Sequence, residues 1–106
     1  MTLLNTTFVI HAPLEPDFLK WVRQTYLHAA KEAGVFGTPT IARILTRIEP
    51  DTESFAVQLP AHSHEEAQRW HDETAAKLRD DLHARWGQRM MFFTTYMEVM
   101  EGTSNE

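Results

Sequence analysis

The chain contains no cysteine, which excludes disulfide frameworks, thiolate nucleophiles, zinc ribbons and cysteine-ligated iron–sulfur clusters. Positive charge is also scarce: ten Lys and Arg stand against fifteen Asp and Glu, a formal net charge of −5. Non-specific nucleic-acid binding and adhesion to anionic membranes need clustered cations, so neither partner is expected. No apolar run approaches the roughly 20 residues of a membrane span. The opening Met1-Thr2-Leu3-Leu4-Asn5 has neither the basic nor the apolar region of a signal peptide. The expected location is cytoplasmic. No catalytic, metal-ligand or nucleotide-binding signature and no internal repeat appears, so no cofactor is implied and catalysis is left open.

What the chain does have is the composition of an ordinary globular domain, 106 residues with 42% hydrophobic and 24% charged. One domain over 1–101 is expected, followed by a polar tail at 102–106. Leu3 to His11 is rich in β-branched and aromatic residues and reads as a strand with Leu4, Thr6, Phe8 and Ile10 facing a core. Its odd face, with Asn5, Thr7, Val9 and His11, is too apolar for plain solvent. Pro16 and Asp17 open a helix that runs to about Ala33, with Phe18, Val22, Tyr26 or Leu27, Ala29, Ala30 and Ala33 on one face and Gly34 as its stop.

A second strand spans Thr40 to Glu49, with Ala42, Ile44 and Ile48 on one side and Arg43, Leu45 and Arg47 on the other. Turn residues from Pro50 to Ser54 lead into a third strand, Phe55 to Leu59, ended by Pro60, so that these two form a hairpin. Ser63-His64-Glu65-Glu66 is a capping box that starts a second helix with Ala67, Trp70, Thr74, Leu78, Leu82 and Trp86 along its stripe, closed by Gly87. A long last strand covers Met90 to Met100. The order strand, helix, strand, strand, helix, strand is that of a ferredoxin-like α+β sandwich, a four-stranded antiparallel sheet with two helices on one face and the first and third strands central. Glu98 is read as turning the even positions of the last strand away from the helices, which puts Met91, Phe93, Met97 and Val99 in the core. The open sheet face then carries Val9, Leu45, Phe92 and Tyr96, an apolar surface that implies a homodimer packed sheet to sheet.

Asn5-Thr6-Thr7-Phe8, Phe18-Leu19-Lys20-Trp21, Ala42-Arg43-Ile44-Leu45, Arg69-Trp70-His71 and Tyr96-Met97-Glu98-Val99 together resemble a small bacterial family known as domain of unknown function 4286. The resemblance covers nearly the whole chain and implies a fold, with no catalytic residues to carry over. The topology is also similar to the dimeric α+β barrel group, which includes cofactor-free monooxygenases, haem-degrading enzymes and small isomerases, although one fold hosts many functions.

Candidate chemistry centres on the open face, where His11, Arg43, Arg47, Tyr96 and Glu98 offer a base, two cations, a phenol and a carboxylate. Such a set suits a small anionic ligand. It equally suits cross-subunit ion pairs, above all Glu98 with Arg43 or Arg47, and that reading is preferred because oligomer interfaces carry a polar component. Trp21 and His28 are candidate rim residues of a pocket between helices and sheet, while Trp70 and Trp86 lie on a core stripe. His62 and His64 lack a third metal ligand at any recognisable spacing. The leading expectation is a homodimeric structural or interaction module. The alternatives are a small-molecule binding protein or metal-free enzyme, and a haem-handling domain with a histidine facing a cavity walled by Trp and Met.

Overall fold

Alternation decides the architecture. In the first strand, β1 (Thr2–His11), Leu4, Phe8 and Ile10 are at most 1% exposed, since every second side chain of an extended strand points to the same face. The computed structural model describes residues 1–101, and the expected tail at 102–106 lies outside the described residues. After a single turn of 3-10 helix come α1 (Glu15–Trp21), a π-helical turn over Val22–Tyr26, α2 (Leu27–Ala33), β2 (Thr40–Ile44), β3 (Thr52–Ala61), α3 (His64–Trp86) and β4 (Met90–Glu98). The strands form one antiparallel sheet in the order β2-β3-β1-β4, with β1 and β3 central.

Register ties the faces together: Leu4 lies between Leu59 and Tyr96, and Phe8 between Phe55 and Phe92. Those residues meet Phe18, Val22, Tyr26 and Ala30 of the first helical layer and Ala67, Trp70, Ala75, Leu82 and Trp86 of α3. The Phe18 ring centroid is 5.1 Å from Phe8, 5.7 Å from Phe55 and 6.2 Å from Trp86, spacings at which aromatic pairs add to simple burial. Ser63 caps α3 by accepting from the Glu66 N–H at 3.1 Å. Gly34 ends α2 in the left-handed region at φ 72°, where a Cβ is disfavoured.

The first helical layer, residues 15–33, is interrupted in its middle. The Leu27 N–H bonds the Val22 carbonyl five residues back, a π turn. Its cause is visible in the core side chains Phe18, Val22, Tyr26 and Ala30, each four residues apart. At about 100° per residue a regular α-helix would carry each member some 40° past the last. One wider turn brings the row back onto the sheet.

Four expectations change on the strands. On β4, Phe92 and Tyr96 pack toward the helices opposite Phe8 and Leu4, while Met91 and Phe93 are each 50% exposed on the open face, with Met97 beside them. On β2, Ile41 and Arg43 pair with Val57 and Phe55 on the helix side, and Ala42 and Ile44 pair with Ala56 and Ser54 on the open side. β2 also stops at Ile44, and Leu45 stands in solvent. Pro60 does not end β3, because the β2 pairing has already finished at Gln58 and no ladder partner on that side needs its missing N–H. Trp21, expected at a pocket rim, is 4% exposed and part of the core. Its ring packs against Phe18, Tyr26 and Trp86, and its Nε1–H donates to Asp81 Oδ2 at 2.9 Å, linking the first helical layer to α3.

Candidate functional site

The open face is built by the odd residues of β1 and β4 together with the facing positions of β2 and β3. Leu3 pairs with Met97, Thr7 with Phe93 and Val9 with Met91, and on the other side Thr7 pairs with Ala56 and Val9 with Ser54. Thr7 and Val9 are themselves buried by these neighbours. The result is an apolar strip along β4 beside a closely covered β1, with Asn5 at its centre donating from Nδ2 to Thr7 Oγ1 at 3.4 Å. The Asn5 Oδ1 is buried without a partner, a cost that a further donor on this face would relieve.

Of the five residues expected to converge there, only His11 lies on this face, exposed at the end of β1 opposite Thr52. Arg43 lies on the helix side, where Nη1 donates to Glu53 Oε1 at 2.8 Å and to Glu15 Oε1 at 3.2 Å, with its guanidinium 4.9 Å from the Phe55 ring centroid. Nη2 donates to Glu15 Oε2 as well, and this bidentate hold on Glu15 pins the edge strand to the start of α1. It also keeps the Glu15 carboxyl below the usual carboxylate range. Arg47, past the end of β2, donates to the Thr52 carbonyl at 3.1 Å and pairs with Glu53 at 3.7 Å. Both arginines sit at the β2 edge, whereas Glu98 is on β4, the opposite edge, so a Glu98–arginine pair of the expected cross-subunit kind would have to join opposite edges of two sheets.

Tyr96 and Glu98 belong to a different place, a recess of about 420 Å³ bordered by Thr2, His62, His64 and Met97. The Tyr96 ring meets the His64 and His71 rings edge-on at 5.0 and 5.9 Å, and its hydroxyl is buried without a partner. Burial pushes the Tyr96 phenol up and the His71 imidazole down, the latter helped by the Arg79 cation, whose Nη1 donates to the His71 carbonyl at 3.1 Å. Among the described residues no group of three His, Asp or Glu is placed to hold a metal.

A larger groove of about 650 Å³ runs between the helical segment 23–31 and the loop 36–39. His28 borders it, together with Arg23 and Lys31, over a floor that includes Leu27, Phe36 and Leu59. The loop is held down by the Gly37 N–H donating to the Pro60 carbonyl at 2.8 Å and by a bridge of Phe36 to Ala61. Trp21 borders a separate recess of about 410 Å³ with Asp17, Lys20 and Arg85. For the haem alternative, Trp21, Trp70 and Trp86 are packed in the core with Met90 against it, while Met91 and Met97 are on the other side of the sheet. Sequence reasoning missed Arg23 and Lys31, which look like ordinary exposed helix cations until the fold sets the loop opposite them.

A sheet ordered β2-β3-β1-β4 with its helices on one face defines a ferredoxin-like α+β fold. The chain belongs to the family described as domain of unknown function (DUF4286), whose model matches residues 1–100. Among solved structures it is similar to HapK from Hahella chejuensis, at 10% identity and a TM-score of 0.69, covering 98% of each chain. It is similar also to a dimeric ferredoxin-like protein from an uncultured marine organism, at 11% identity and a TM-score of 0.67 over 96% of this chain and 98% of that one. A third is a protein of the ethyl tert-butyl ether d (ethd) family from Bacillus halodurans, at 13% identity and a TM-score of 0.62 over 94% and 100%. No curated protein matches the chain. Among the described residues no helix is long and apolar enough to cross a membrane.

Proposed function

We propose that the protein is a homodimeric interaction module whose two copies pack through their open sheet faces. The observation that carries this reading is the strip of Met91, Phe93 and Met97, large apolar side chains left 36–50% exposed on the open face beside the buried Thr7 and Val9. A second copy brought up by a two-fold axis covers the strip with its own equivalent. The unpaired Asn5 Oδ1 supports the same reading, because a polar atom in the middle of an interface finds its donor on the partner. A structural neighbour described as a dimeric ferredoxin-like protein supports self-association of this fold. His11 lies at the exposed margin of the proposed interface, where a polar rim belongs.

Light scattering tests the proposal, with a dimer expected at micromolar concentration and a monomer for Phe93→Lys. Half of a Phe side chain is roughly 100 Å², worth about 2.5 kcal/mol at ~25 cal/mol per Å². Two-fold symmetry counts it twice, so Phe93→Lys should raise the dissociation constant at least about a hundredfold. Arg43→Ala should leave the dimer intact, since its partners Glu15 and Glu53 are in the same chain. A wild-type chain that stays monomeric, or a Phe93→Lys chain that stays dimeric, would show the reading to be wrong.

A further inference from the structure

We infer that the groove between residues 23–31 and the loop 36–39 is a binding site for a small organic carboxylate with an apolar body, a function separate from self-association and on the helix side of the sheet. Charge makes the first part of the case. The chain carries a net charge of −5, yet the groove lining includes Arg23, Lys31 and His28 and no acidic residue. A concave surface with cations on its rim and no carboxylate to neutralise them selects an anion. Neither Arg23 nor Lys31 takes part in an ion pair among the described residues.

Shape and floor make the second part. Leu27 and the half-buried Phe36 give the groove its accessible apolar surface, with the buried Leu59 beneath them, and Phe36 is braced from behind by Trp70, edge-on with ring centroids 5.1 Å apart. A volume near 650 Å³ lies within the roughly 300–1,000 Å³ range of pockets for small ligands, which pair a mainly apolar lining with a few orienting polar groups. An inorganic anion would leave this apolar floor uncovered, and an uncharged hydrocarbon would leave the cations unused. The ligand that satisfies both parts is an aryl or alkyl acid, its carboxylate toward Arg23 and Lys31, with the His28 ring as a further donor and its body on Phe36.

The π turn supplies the third part. The wide turn that keeps Val22, Tyr26 and Ala30 on the core applies equally to the neighbouring row Arg23, Leu27 and Lys31, also four residues apart. In a regular α-helix the ends of that row would diverge by about 80°. The π turn sets cation, apolar residue and cation along one wall, in keeping with the frequency of such turns at functional sites.

Isothermal titration with benzoate, 2-naphthoate, indole-3-acetate and octanoate tests the assignment, each beside its uncharged amide. At least one acid should bind saturably and at least tenfold more tightly than its amide. Its amide-shift changes in a nitrogen-15 spectrum should fall on residues 23–31 and on Gly37 and Thr38. The double variant Arg23→Gln/Lys31→Gln, changing two exposed side chains, should lower that affinity at least tenfold. Saturable binding by none of the acids, equal affinity for acid and amide, or shift changes centred on the open sheet face would each overturn the proposal. The acid-against-amide comparison uses the unaltered chain, so the test stands even where the double variant folds poorly. Phe93→Lys separates the two readings, because it should abolish the dimer and leave acid binding unchanged within about twofold.

Discussion

If the π turn exists to return a row of four-spaced side chains to the sheet, removing one residue inside it should leave a foldable chain. Phe18 and Ala30 are twelve positions apart, which at about 100° per residue leaves them roughly 120° out of line in a regular α-helix. Deleting Gln24, an exposed residue within the turn Val22–Tyr26, cuts the separation to eleven and the misalignment to roughly 20°. The core spacings become four, three and four, the ordinary pattern of an amphipathic α-helix. The deletion variant should therefore fold with a regular helix and lie within about 2 kcal/mol of the parent, the usual range of a point change.

The control is deletion of Glu73, exposed in the uninterrupted helix α3. Nothing there absorbs a missing residue, so Ala75, Leu82 and Trp86 would rotate by about 100° away from the sheet. Losing burial of Leu82 and Trp86 alone costs on the order of 2–5 and 3–5 kcal/mol, comparable with the ~5–15 kcal/mol that holds a whole domain together. Urea unfolding followed by circular dichroism reads both variants. A Gln24 deletion as unfolded as the Glu73 deletion would refute the account of why the turn is there.

Two other predictions concern the join between the helices and the end of α2. The Trp21 indole N–H and then the Arg85 guanidinium hold the Asp81 carboxyl below its ordinary value. The native state therefore favours the ionised form, and the stabilisation is present above the unfolded-state value near 4 and lost as pH falls through the native one. Asp81→Asn keeps an oxygen for the indole but cannot titrate, so its stability deficit in urea melts should shrink between pH 5 and pH 2 (about the carboxylate range), and a deficit that stays constant would rule out this linkage. At Gly34, with φ 72° and open space where a Cβ would sit, Gly34→Ala should cost about 1 kcal/mol from backbone conformation alone, and a stabilised variant in the same assay would contradict that origin.

The elements that bury one face were legible in the sequence. Leu4, Phe8 and Ile10 alternate, Ser63 and Glu66 bracket a helix start, and Gly34 and Gly87 close helices, each a local signal with one physical meaning. The π turn left a trace too. The stripe of the first helix could be continued through either Tyr26 or Leu27, an ambiguity that arises because a spacing of four repeated three times fits no regular α-helix. The groove left none, because Arg23 and Lys31 acquire a shared meaning only when Phe36 is brought opposite them by its bridge to Ala61.

The edge strands misled for one reason, and it bears on the open face. In β4 both parities are apolar, Met90, Phe92 and Tyr96 on one side and Met91, Phe93 and Met97 on the other, and β2 repeats this with Ile41 against Ile44. Alternation cannot orient such a strand. Glu98 was a poor arbiter, because it sits at the strand end among Thr2, His62 and His64, where a carboxylate on the helix side remains exposed. A strand apolar on both faces is the pattern of one that is covered on both. The helices account for one cover on β4. The unresolved parity in its sequence is thus itself an argument that Met91, Phe93 and Met97 meet a second layer, and the second copy of the chain is the layer proposed here.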